Sequence, residues 1–148
     1  MSESRPWLDR YPPDVPASLE PYPDASLFSL LENAAAGFGT HAAIAFFGRH
    51  ISYAQLLAEV ERFSGVLAGL GVRKGDRVGM LLPNCPEYVI AFYACQRIGA
   101  IAVGNNPLYT ERELEHQLSD AGVSVMIVLD QVYATFGRIR DRLDIREV

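Results

Sequence analysis

Few residues in this chain have the types and spacing that chemistry requires. The run Gly69-Leu70-Gly71-Val72-Arg73-Lys74-Gly75 carries glycines and a lysine, as a phosphate-binding loop does. Such a loop also needs serine or threonine after the lysine, at a strand-to-helix junction. Here Lys74 is followed by Gly75, and the glycines end a helix and lead into a strand. The run therefore reads as helix termination and a surface turn. His41, His50 and His116 share no metal-ligand spacing with one another or with the cysteines. Cys85 and Cys95 have no histidine placed beside them to activate a thiolate. Glu111, Glu113 and Glu115 alternate along a helical stretch and do not converge as a carboxylate pair. The glycine–serine pattern of an esterase elbow is absent. No residue is assigned a catalytic, cofactor-binding or metal-binding role.

One polar segment is more suggestive. Asn105-Asn106-Pro107-Leu108-Tyr109-Thr110 lies just beyond the carboxyl end of an expected strand, where open α/β folds bind their ligands. Its amides and the Tyr109 hydroxyl could meet a substrate, or could tie a rigid turn to Thr110. The residues alone leave both open.

The stretch Arg77–Val103 sets the frame around that segment. Arg77 to Leu82 is short, apolar and stopped by Pro83, as a buried strand would be. Tyr88 to Ile98 is apolar on nearly every side and too short to span a bilayer, so it is expected to be wrapped by protein. Asn84 is the expected cap, with Pro86 in the first turn and Glu87 completing a capping box at the positive dipole end. Gly99 stops the helix, and 100–103 is a second strand.

On the amino-terminal side, prolines at 6, 12, 13, 16, 21 and 23 predict an extended arm over 1–26 with no regular helix. Trp7, Leu8, Tyr11, Val15 and Leu19 are its candidate anchors on a neighbouring surface. Asp24 or Ser26 caps a helix to about Phe38, with Leu27, Leu30, Leu31, Ala34, Ala35 and Phe38 on its inner face. Residues 43–47 and 50–52 form a hairpin about a Gly48-Arg49 turn. Ser52 and Gln55 make a capping box, and Tyr53, Leu56, Leu57, Val60, Phe63, Leu67 and Leu70 recur at helical spacing behind it. Further on, Thr110 and Glu113 form another capping box, and the helix to Ala121 turns Leu114, Leu118 and Ala121 inward. A buried strand follows over 123–129. A last helix over about 132–143 carries Val132, Phe136, Ile139 and Leu143 on one face.

The expected fold is α/β: a mostly parallel sheet with helices on both faces, plus a small β-hairpin. The domain division is an arm over 1–26 and a partial α/β subdomain over 27–148. Residues 144–148 read as the approach to another strand, so an incomplete subdomain of a larger fold is expected.

Composition narrows the function classes. The formal net charge is −5 and there is no basic cluster, which argues against a nucleic-acid partner. Two cysteines fit a reducing compartment better than a disulfide framework. No apolar run follows a basic region near residue 1, so neither a secretory signal nor a transmembrane anchor is expected, and the cytoplasm is the default.

The chain resembles the amino-terminal part of the long-chain fatty-acid–CoA ligases, which are adenylate-forming enzymes. The resemblance lies in Tyr11-Pro12-Pro13-Asp14-Val15-Pro16, Phe46-Phe47-Gly48-Arg49, Ile51-Ser52-Tyr53-Ala54-Gln55-Leu56 and Gly71-Val72-Arg73-Lys74-Gly75-Asp76-Arg77-Val78. It continues in Leu82-Pro83-Asn84-Cys85-Pro86-Glu87 and in Asn106-Pro107-Leu108-Tyr109-Thr110-Glu111-Arg112-Glu113-Leu114-Glu115-His116-Gln117-Leu118. The pair Gly104-Asn105 departs from the proline-valine or asparagine-valine expected there.

The resemblance implies a parent enzyme that uses ATP, Mg2+ and CoA. It would join a fatty acid to CoA through an acyl-adenylate. The family's phosphate loop, ribose aspartate, metal glutamate and catalytic lysine are not in this sequence. The fragment is therefore expected to be inactive alone and to bind none of these cofactors. Its expected partners are the remainder of the parent enzyme, the fatty acid, and a second copy through the proline-rich arm. Two alternatives stand beside this: a fragment of an aryl- or medium-chain acid–CoA ligase, and a non-catalytic nucleotide-, CoA- or protein-binding domain.

Overall fold

A computed structural model describes residues 5–148. The first four residues of the expected arm lie outside the described residues. From residue 5 to Ser26 the chain is almost wholly exposed. Its one helical stretch among the described residues is a 3-10 helix, Pro6–Arg10, which corrects the expectation of no helix there. Pro6 opens that turn, where a missing N–H costs nothing. Trp7, Tyr11, Val15 and Leu19 are exposed, and Leu8 is half-buried.

Helix α1 is Leu27–Phe38, and Ser26 caps it by accepting from the Ser29 N–H at 3.2 Å. Its inner face is narrower than predicted. Phe28 and Leu31 are buried, whereas Leu27, Leu30 and Phe38 lie in solvent. The apolar residues cover a wider arc than the neighbouring helices can reach, so half of it stays bare.

Strands β1 (Ala42–Phe46) and β2 (Arg49–Ser52) pair antiparallel. The turn sits one residue earlier than expected, at Phe47 and Gly48, with φ of 46° and 78°. Two residues of positive φ match the twist of a two-residue hairpin, and the pairing of Phe46 with Arg49 fixes them there. Gly39 and His41 then accept from the Ala54 and Tyr53 N–H groups, which fastens the hairpin's base to the next helix.

Helix α2, Tyr53–Gly69, begins with the predicted capping box. Gln55 N–H donates to Ser52 Oγ at 3.2 Å, and Ser52 N–H donates to Gln55 Oε1 at 2.9 Å. Leu56, Val60 and Leu67 are buried as expected; Leu70 is not, because the helix ends before it. A buried serine, Ser64, joins that face. Its hydroxyl donates to Glu61 O and accepts from Arg97, whose guanidinium also lies 5.7 Å from the Phe28 ring centroid.

Strand β3 (Arg77–Leu81), helix α3 (Pro86–Ile98) and strand β4 (Ile101–Asn105) form a βαβ unit with β3 and β4 parallel. Ala91, Ala94 and Cys95 of α3 are buried, and its other apolar residues are half-buried. The expected wrap on all sides is thus incomplete, though no large apolar side chain of α3 is fully exposed. The N-cap is Cys85, not Asn84, and no side chain caps it. Gly99 ends the helix with φ 72°, as a left-handed cap requires.

Helix α4 (Glu111–Ala121) leads to β5 (Val125–Val128), which pairs parallel on the other side of β3. The sheet order is β4-β3-β5. The predicted last helix is broken into a 3-10 turn, a short α5 (Tyr133–Gly137) and a second 3-10 turn at Arg140–Arg142. Its apolar face survives the break: Phe136 and Ile139 are both fully buried.

Alternation along β3 sorts the core onto two faces. Val78 belongs to the core cluster shared with α1, α2 and α3, while Leu81 belongs to the one shared with α4, α5 and Met126. Gly79 faces the second set so closely that a methyl there would run into Met126 and Val123. The fold is therefore mixed α/β, with a parallel three-stranded sheet covered on both faces and an antiparallel hairpin beside it.

Candidate functional site

The carboxyl ends of β3 and β4 and the start of α3 enclose an open cleft of about 650 Å³. Leu82, Pro83 and Asn84 form one wall, Gly104 to Leu108 the other, and Tyr88 crosses between them. The polar segment singled out in the sequence lies here. Proline at 83 stops β3 and sends the chain outward, which opens the space.

Most of the segment's polar groups are spent on its own shape. Asn106 Oδ1 accepts from the Leu108 N–H at 3.0 Å, and the Tyr109 N–H donates to Asn106 O at 3.0 Å. Together these make a side-chain-supported turn. Asn105 Nδ2 donates to Val103 O at 2.8 Å, and Gln117 Nε2 of α4 donates to Gly104 O at 3.0 Å. Thr110 then starts α4 with the predicted box: its N–H and hydroxyl donate to Glu113 at 2.9 and 2.7 Å. Those two bonds hold the Glu113 carboxyl below its ordinary range. Leu108 projects into solvent from the turn. The rigid-turn reading accounts for the segment's hydrogen bonds, and the cleft it borders is open to a ligand.

Among the described residues, two buried side-chain acceptors have no partner: Asn105 Oδ1 and Gln117 Oε1. A Cβ on Gly104 would lie 2.8 Å from the Tyr88 hydroxyl, so any larger residue there would push the end of that side chain aside. Sequence reading flagged Gly104 only as a departure from a pattern. The signal that explains it, the ring of Tyr88 lying across the strand, belongs to tertiary structure.

The other candidates fall elsewhere. Residues 69–75 sit at the amino end of β3, opposite the cleft, and Gly71 and Gly75 take positive φ as turn residues. Cys85 borders α3's first turn, and desolvation is the largest of several causes raising its thiol pKa. Burial alone raises Cys95 to about 11. Both thiols are thereby kept in the neutral form at pH 7. The three alternating glutamates part company: Glu111 pairs with Arg138, Glu113 binds Thr110, and Glu115 pairs with Arg142. Among the described residues no three His, Cys, Asp or Glu side chains gather as a metal site, and no helix is long and apolar enough to cross a membrane.

Comparison with known proteins gives this cleft a context. Residues 31–146 match the family model described as AMP-binding enzyme. The chain is 44% identical over 133 residues to a long-chain-fatty-acid–CoA ligase of Bacillus subtilis, which covers 90% of this chain and 24% of that protein. Among solved structures, a long-chain-fatty-acid-CoA ligase from Archaeoglobus fulgidus superposes with a TM-score of 0.80 at 29% identity. That match covers 86% of this chain and 27% of the other. An anthranilate CoA ligase in complex with anthranoyl-AMP superposes with a TM-score of 0.79 at 29% identity, over 84% of this chain and 25% of that one. The chain spans about a quarter of the length of the relatives it matches. With the family match running over 31–146 and the fold shared with solved ligases, this chain belongs to the AMP-binding enzymes.

Proposed function

We infer that this chain is the amino-terminal part of a long-chain fatty-acid–CoA ligase. The observation that carries the reading is the 44% identity to the Bacillus subtilis ligase over 90% of the chain. In such an enzyme a fatty-acid carboxylate attacks the α-phosphorus of ATP, forming an acyl-adenylate and releasing pyrophosphate. The CoA thiol then attacks the acyl carbon, a C–S bond forms, and AMP leaves with the electrons of the C–O bond. AMP departs far more readily than an oxide ion would, and the site must clamp phosphates and keep water from the mixed anhydride.

The metal glutamate of the family is not in this sequence, so no residue here is assigned to the Mg2+ that accompanies ATP. No phosphate loop is present either. We therefore place no catalytic step on any residue of this chain. Its role is scaffold, with the cleft at the carboxyl ends of β3 and β4 as one wall of the acyl and CoA region. Residues 1–26 act as an arm separate from the α/β body of 27–148. The exposed Trp7, Tyr11 and Leu19 support a contact between arm and second copy. The cytoplasm is the expected location.

The test is acyl-dependent exchange of pyrophosphate into ATP. The 148-residue chain should show none above background, and clear exchange would overturn the fragment reading. A chain of the relatives' length should exchange with palmitate. The fit to the anthranilate ligase favours one competing reading, an aryl-acid ligase. Exchange with anthranilate but not palmitate would decide for it.

A further inference from the structure

The two acceptors without partners, Asn105 Oδ1 and Gln117 Oε1, hang from the same end of β4. Asn105 Nδ2 donates to Val103 O at 2.8 Å and Gln117 Nε2 to Gly104 O at 3.0 Å, so each amide is anchored by its nitrogen to one of two successive carbonyls. The anchoring decides which way each amide faces, because turning either over would set its oxygen against a carbonyl. Asn105 has the parity of Val103, which packs with the cluster of α4 and α5. Gln117 lies on α4 next to the buried Leu118 and one turn from the buried Leu114. Asn105 is only 4% exposed, and both free oxygens are shut off from bulk solvent.

A buried amide oxygen with no donor costs stability that an apolar side chain of similar size would not. Two of them at one strand end call for a species with hydrogens to give. Phosphate and carboxylate offer only further acceptors and do not suit the place. The Tyr88 hydroxyl stands over Gly104, whose parity puts it on the opposite face of β4 from Asn105. Among the described residues no other group reaches either oxygen.

We propose that the end of β4 and α4 enclose a bound water, which donates one hydrogen to Asn105 Oδ1 and the other to Gln117 Oε1. Buried waters satisfy polar groups of this kind and are costly to remove. The water fastens to α4 the wall of the cleft that starts at Asn105, and so steadies the turn that Asn106 makes with Leu108. The two amides support that wall from behind; they do not contact what the cleft holds.

Water-to-amide NOE spectra of the 148-residue chain are the first test. Cross-peaks from a long-lived water to the side-chain NH2 groups of both Asn105 and Gln117 are expected, and both sets should vanish in Asn105→Val and in Gln117→Leu. Their absence from the unaltered chain overturns the proposal. Urea unfolding is the second measurement. Each substitution also deletes its own bond to a carbonyl, so each should lower the folding constant about fivefold or more. With a shared water, the double variant should fall short of the product of the two losses by at least about threefold. Losses that simply multiply would mean two separate sites and overturn it. Should either variant fail to fold, the cross-peaks in the unaltered chain decide alone. A crystal structure with the two amides bonded directly to each other would overturn the proposal whatever coupling is measured. So would a stability that changes when potassium or ammonium replaces sodium, and that Asn105→Val makes indifferent to the exchange, since the occupant would then be a cation. None of these readouts involves nucleotide turnover, so failure of the ligase reading would leave them unaffected.

Discussion

The two ends of the three-stranded sheet are built on different terms. At the amino end the connections are tight and cross-linked. Gly75 N–H donates to Gly99 O at 2.9 Å, Ile101 N–H donates to Asp76 O at 2.8 Å, and Asp76 also accepts from the Arg73 N–H and from Arg146. At the carboxyl end Pro83 and Pro107 send the chain away from the sheet, and the turns bond mainly to themselves. The first end is closed mainly by contacts between distant segments; at the second most bonds lie within one segment, with Gln117 to Gly104 O and the Leu129 N–H to Leu81 O crossing between segments. Loops of the second kind can change without disturbing the strands, which is why binding sites gather there.

The largest expected effect removes what both ends depend on. Leu56 is buried in the layer that covers one face of the sheet. Leu56→Asp would place an unpaired carboxylate there, and a loss of about 4 kcal/mol or more is expected in urea unfolding. A smaller loss would mean that α2 is not needed by either end.

Next comes the closed end. Asp76→Ala frees the Arg73 N–H and Arg146 together. Both partners of the ion pair are partly exposed, so a loss of about 1 kcal/mol is expected. The diagnostic readout is faster amide exchange at Met126, whose acceptor is Glu147.

The open end should respond locally. Thr110→Ala removes the cap of α4 and should cost about 1 kcal/mol, with exchange rising in the first turn of α4 and nowhere near β3. The same box gives a pH dependence. Glu113 has a lowered folded-state pKa, so its contribution is present above the unfolded value and fades as pH falls through the folded one. An acid titration of the Glu113 carboxyl by NMR should therefore place its midpoint below that of an unfolded control.

The smallest effect is Leu108→Ala. Leu108 is 88% exposed at the lip of the cleft, and its removal should change stability by less than about 0.5 kcal/mol. A larger loss would show that the open end is not independent of the core.

What the sequence disclosed follows the same division between local and distant causes. Both capping boxes, Ser52 with Gln55 and Thr110 with Glu113, depend on residues three apart and were legible. So were the parallel strands, whose apolar runs are bounded by proline and glycine. The inner face of α1 was not, because Leu27, Leu30 and Phe38 are as apolar as the residues that do pack. Ser64 escaped notice for the opposite reason: a polar residue reads as surface until Arg97, 33 positions away, is seen to bond it. At the cleft, position and polarity were readable. The close approach of Tyr88 to Gly104 was not, since it arises from another element.

Arg97 carries a last consequence. One cation sits 5.7 Å from the centroid of the Phe28 ring of α1, donates to Ser64 of α2, and is rooted in the last turn of α3. Three helices that already share a core thus meet again at one cation, which faces the ring of one and bonds the hydroxyl of another. A lysine would keep the charge but lose the fork, so Arg97→Lys would loosen the contact between cation, ring and hydroxyl while Phe28 and Leu31 keep α1 in the core. Since the arm runs directly into α1, the course it takes away from the protein starts from a helix fixed by Phe28, Leu31 and that guanidinium together.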